Sequence, residues 1–147
     1  MRLSHFSGLA GFAALTAVTA LSVQAEVTNP TVQERIDAMK TMGLATRSLS
    51  QMARGQAPFD ADAVAAAKET LVRISTELPD LFRAEETDPE SGALPAIWLD
   101  YGDFEARAAG MLEAASALDP SAEAGLGQGV AQIGQACSAC HQAYKAD

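Results

Sequence analysis

Residues 126–144 read LGQGVAQIGQACSACHQAY. Leu126, Val130, Ile133, Cys137, Cys140, His141 and Tyr144 recur at steps of three and four, the spacing that places side chains on one face of an α-helix. The only two cysteines of the 147-residue chain thus share a helical face with a histidine, six residues from the C-terminus. Gly125, Gly127, Gly129 and Gly134 lower the helix propensity of this stretch and are read as positions of close approach, with a frayed helix start equally allowed.

The run Cys137-Ser138-Ala139-Cys140-His141 has the C-x-x-C-H spacing of covalent haem attachment. Two thiols a turn apart can add across two vinyl groups, and the adjacent imidazole is placed to bind the iron from one side. Two other readings compete with it. A structural zinc site needs four protein ligands, and these three residues would need acidic help. A thioredoxin-like pair belongs at a helix N-terminus in a βαβ setting, whereas this pair lies near a helix C-terminus. Haem attachment is the favoured reading.

Upstream, three further helical patterns are separated by breakers. Asn29-Pro30 starts the first, whose face carries Val32, Met39, Met42, Leu49 and Met52, and Gly55 ends it. The second opens near Asp60 with Val64, Ala67, Leu71, Ile74 and Leu78 along a heptad-like seam, and Pro79 is expected to stop it. A connection of about residues 80–102 holds Pro89, Gly92, Pro95 and Gly102. The third pattern carries Phe104, Ala108, Met111, Ala115 and Leu118, and Asp119-Pro120 is expected to cap and start the fourth. No alternating strand pattern is evident. Four amphipathic helices with one long crossover predict an all-α, antiparallel four-helix bundle carrying the cysteines on its last helix.

Residues 1–25 read as a cleaved secretory signal peptide: Arg2, an apolar stretch from about Leu9 to Val23, and small residues at Val23 and Ala25 before Glu26. The expected mature protein is a single domain over 26–147, exported to the periplasm, with no stable membrane insertion after cleavage. Export places the thiols where a disulfide or haem pathway can use them. It also removes His5, the only other histidine. Lys and Arg number 10 against 19 Asp and Glu, a net charge of −9 before loss of Arg2. That balance excludes nucleic acid as an expected partner and favours a basic redox-partner protein. No nucleophile–base arrangement, phosphate loop or second metal cluster is legible, so no catalytic role is expected.

The chain resembles the class II c-type cytochromes, the group that contains cytochrome c′ and its low-spin relatives. The resemblance rests on Arg35-Ile36-Asp37-Ala38-Met39-Lys40, on Gly55 with Pro58-Phe59-Asp60, on Leu94-Pro95-Ala96-Ile97-Trp98, and most specifically on Cys137 through Lys145. It implies one covalent haem c on Cys137 and Cys140, His141 as proximal ligand, Arg35 near a haem propionate, and Lys145 beside the proximal pocket. It also places Met39 where the family has its distal side chain, in the arrangement Arg-x-x-x-Met-Lys of low-spin members.

Function then turns on the sixth position of the iron. If Met39 fills it, the chain resembles a periplasmic electron carrier; if it is open, a five-coordinate cytochrome c′ that binds nitric oxide or other small gases. Methionine at helical spacing also serves as ordinary bundle core. Family members often dimerise through their first two helices, so monomer and homodimer both stand.

Overall fold

Asn29 opens the first helix because its carboxamide oxygen accepts from the N–H groups of Thr31 and Val32, at 2.9 and 3.3 Å. Pro30, with no N–H to satisfy, takes the first helical position. The computed structural model describes residues 26–146, and the expected signal peptide, residues 1–25, lies outside the described residues. Helix α1 (Pro30–Ala53) closes in a Schellman turn. Gly55 takes a φ of +66°, and the N–H groups of Gly55 and Gln56 return to the carbonyls of Met52 and Gln51.

Helix α2 (Ala61–Leu81) is capped by the Asp60 carboxylate, which accepts from the N–H groups of Asp62 and Ala63. Pro79 does not stop it, contrary to the expectation from sequence. A proline this close to a helix end forfeits one N–H bond, and the last turn is still closed by the Phe82 N–H on the Leu78 carbonyl at 3.1 Å.

The crossover is more ordered than its prolines and glycines imply. It contains a one-turn helix, α3 (Ala96–Leu99), that seats Ile97 in the core, with Trp98 donating its indole N–H to the Phe82 carbonyl at 2.8 Å. Helix α4 (Tyr101–Ala117) follows, capped by Asp100.

Helix α5 (Glu123–Tyr144) begins three residues later than Asp119-Pro120 suggests. The Asp119 carboxylate accepts from the N–H and hydroxyl of Ser121, as a cap would, but the turn it closes is not continued into helix until Glu123. Of the four glycines read as close approaches, only Gly129 is one: a Cβ there would lie 2.5 Å from Leu118 Cδ1, whereas Gly125, Gly127 and Gly134 face open space.

The four long helices alternate in direction. Phe82 at the end of α2 meets Phe104 at the start of α4, ring centroids 5.2 Å apart, and Lys68 near the start of α2 donates to the Leu118 carbonyl just past the end of α4, at 2.7 Å. Helix α1 packs against α2 and α5, and α4 against the same two. The result is an antiparallel four-helix bundle, as expected from the four apolar stripes. The seam of α2 is buried throughout, as are Phe104, Ala108, Met111, Ala115 and Leu118. On the predicted inner face of α1 the exception is Met39, which is half-buried while Val32, Met42, Leu49 and Met52 are buried. No helix among the described residues is long and apolar enough to cross a membrane.

Candidate haem site

The last turns of α5 carry the chemistry. Cys137 and Cys140 are free thiols, both half-buried, one turn apart on the helix. Burial raises the pKa of each, so both are held as neutral thiols; at Cys140 the positive charge of Arg107 acts in the opposite sense. Cys137 Sγ lies 3.8 Å from Met111 Sδ. The imidazole of His141 has its pKa lowered, first by burial and then by the charge of Lys145, which favours the neutral form that can bind a metal.

Cys140 and His141 open onto a cavity of about 260 Å³ at one end of the bundle. Val32, Arg35 and Met39 of α1, Leu78 of α2 and Phe104 of α4 complete much of its wall. Gly92 and Ala93 of the crossover close another side. They are fixed there by a short antiparallel pairing with the chain just after α5: Leu94 N–H donates to the Tyr144 carbonyl and Ala146 N–H to the Gly92 carbonyl, each at 2.9 Å. Met39 and His141 therefore face one space from two helices. Cys137 stands one turn earlier, beyond the lining of this cavity.

Arg35 is not a solvated charge; it is 3% exposed. Its Nε and two terminal nitrogens donate to the carbonyls of Leu81, Glu86 and Ala84, at 2.8, 2.9 and 2.6 Å. The guanidinium also stacks over the rings of Phe82 and Trp98. Desolvation lowers its pKa, partly offset by Glu86. Arg35 thus ties the start of the crossover to α1 and still borders the cavity, with part of its five-donor set left over. Lys40 and Lys145 also border the cavity, and among the described residues no carboxylate does.

Two features were not legible beforehand. One is the crossover wall, whose Ser91-Gly92-Ala93 has no periodicity to read. The other is a polar network: the Tyr144 hydroxyl donates to Asp103 Oδ2 at 2.6 Å, Arg107 Nε donates to the same oxygen at 2.5 Å, and another Arg107 nitrogen donates to the Ala139 carbonyl at 2.8 Å. Tyr144, legible in the sequence only as a member of the helical face, is thus also a hydrogen-bond donor. The i, i+4 spacing of Asp103 and Arg107 was the available signal.

The donor set fits a covalently attached haem. Two unpaired thiols stand a turn apart, an imidazole whose neutral form is favoured is adjacent to them, the cavity wall is mainly apolar, and the charged groups at its border, Arg35, Lys40 and Lys145, are cations suited to the acid side chains of a haem. Among the described residues no three or more His, Cys, Asp or Glu gather in a way that could hold a bare metal ion.

The comparisons with known proteins agree with this geometry. The family model described as Cytochrome C′ matches residues 30–145. A cytochrome c-556 of Agrobacterium tumefaciens (strain apple 185) is 39% identical over 115 residues, spanning 76% of this chain and 90% of that protein. Among solved structures, cytochrome c′ from Rhodopseudomonas palustris superposes with a TM-score of 0.74 at 30% identity, covering 82% of this chain and 98% of the other. A nitric oxide complex of a mutant cytochrome c prime from Alcaligenes xylosoxidans superposes with a TM-score of 0.69 at 28% identity, covering 83% and 100%.

Proposed function

Because the chain belongs to the cytochrome c′ family, we propose that this monohaem cytochrome is a periplasmic electron carrier whose iron is bound by His141 and Met39. The observation that carries the reading is that these two side chains, from α5 and α1, line the same cavity. Cys137 and Cys140 hold the haem c through thioether bonds. When bound, the haem supplies a one-electron couple at its iron.

The rest is the work of the polypeptide. Desolvation and the Lys145 charge favour the neutral form of His141, the form able to ligate. The thioether of Met39, a neutral soft donor, favours the reduced state and raises the potential. Leu78, Ile97 and Phe104 give the cavity an apolar wall, and the Arg35 clamp holds the crossover that forms one side of it. The relatives named cytochrome c-556 support a carrier role. The leader-like residues 1–25 support export, and the excess of acidic residues supports a basic redox partner.

Optical spectra of the purified holoprotein test the proposal. Methionine ligation gives a low-spin ferric spectrum with a weak band in the far red; a high-spin ferric spectrum without that band would reject it.

A second reading is favoured by one observation: Met39 is only half-buried, beside open space, and a structural relative is a nitric oxide complex. In that reading the sixth position is open and the protein binds small gases. It requires fast carbon monoxide or nitric oxide binding to the ferrous protein, unlimited by release of an internal ligand.

A further inference from the structure

The Asp103–Arg107–Tyr144 network meets the attachment segment at a defined point. Arg107 reaches from α4 to the carbonyl of Ala139, the residue between the two cysteines, at 2.8 Å. It lies over the Tyr144 ring, 5.7 Å from guanidinium carbon to ring centroid. Asp103 Oδ2 receives both Arg107 and the Tyr144 hydroxyl, so one carboxylate oxygen joins a residue of α4 to the last residue of α5.

The side chains are about two-fifths exposed, 35% for Arg107 and 41% for Asp103. A pair this exposed adds little to stability. Its two charges are opposite and fixed, and both stand beside the segment that carries Cys137 and Cys140.

We propose that Arg107 positions the Ala139 peptide between the two haem-bearing cysteines, and that the charges of Arg107 and Asp103 bias the reduction equilibrium of the attached haem in opposite senses and are held in balance by their pairing. The inference rests on haem attachment at these cysteines, not on the identity of the sixth ligand. Reduction adds one electron to the iron and makes the site more negative by one unit. A nearby positive charge therefore favours the ferrous state and a nearby negative charge the ferric state. With the pair intact the two effects largely cancel. Removal of either partner exposes the other.

The test is an equilibrium redox titration of the holoproteins against a mediator dye, read as the ferrous-to-ferric ratio at one fixed dye potential. Arg107→Gln is expected to lower that ratio by about threefold and Asp103→Asn to raise it by about threefold. Tyr144→Phe, which leaves the carboxylate with one donor fewer, moves the ratio in the Arg107→Gln direction by less. Arg107→Lys keeps the charge and stays near the wild-type ratio. The differences shrink at about 1 M salt, where exposed charges are screened. A merely structural brace predicts shifts of one sign for all the damaging variants. Shifts of one sign, or ratios that do not move in proteins with a wild-type spectrum, would overturn the proposal alone. Wild-type protein that retains no haem in a denaturing gel would overturn haem attachment itself, and this proposal with it.

Discussion

Arg35 Nε donates to the carbonyl of Leu81 at 2.8 Å, joining the first turns of α1 to the last residue of α2 across 46 positions of sequence. The same guanidinium takes the carbonyls of Ala84 and Glu86, so a single buried cation satisfies three backbone acceptors that no helix or strand would otherwise pair.

Replacing Arg35 by methionine leaves the Leu81 and Glu86 carbonyls without their donor, while the Ala84 carbonyl keeps the Glu86 N–H, and is expected to lower the free energy of unfolding of the holoprotein by about 3 kcal/mol. Urea denaturation followed by far-ultraviolet circular dichroism measures it. A loss too small to resolve would mean that the crossover holds without the clamp.

Met39→Ala separates the two readings of the iron. If Met39 is the sixth ligand, its removal opens the position and carbon monoxide binds the ferrous variant at least about tenfold faster than the wild type. Flash photolysis reads this directly. Equal rates in the two proteins would assign Met39 to packing.

Acid stability should carry the signature of Asp88. Its carboxylate is held down to about 2, foremost by the Glu90 N–H, then by the N–H groups of Thr28 and Asn29 and the Thr28 hydroxyl, with desolvation opposing. A depressed carboxylate contributes stability above its unfolded value of 3.8, and that contribution is lost as pH falls through about 2. Asp88→Asn should therefore flatten the stability–pH curve in that interval and leave its slope near neutrality unchanged. A wild-type slope in the variant would show that the acidic limb belongs to other groups.

Ser75 gives a prediction of opposite sign. It is 2% exposed and its hydroxyl has no partner, so the fold carries a desolvated polar atom without return. Ser75→Ala is expected to raise thermal stability, by about 1 kcal/mol. Destabilisation instead would point to an ordered water bound at that oxygen.

Much of this architecture could be read from the chain because helix seams obey a simple period. Leu71, Phe104 and Ile133 each sit where their spacing puts them, with exposures of 0, 3 and 0%. The cysteines and His141 were legible for the same reason, since a turn of helix and the attachment spacing coincide. Boundaries were harder. A proline breaks a helix interior but Pro79 is tolerated one turn from an end, and the Asp119–Ser121 turn has the bond of a cap without a helix continuing from it. Arg35 and Arg107 escaped in their details because their partners are backbone carbonyls. Any residue offers a carbonyl, so nothing in a sequence marks the recipient.

Both ends of the described chain are stitched to the crossover. Thr28 and Asn29 are held by Asp88, and the Ala146 N–H by the Gly92 carbonyl. Four residues of extended chain span at most about 14 Å, so the two termini emerge close together. Joining residue 146 to residue 26 through a short glycine–serine link, with new ends cut in the loop after Gly55, is a geometry the bundle already permits. The attachment helix could then be moved to the interior of the polypeptide while its neighbours in space stay the same.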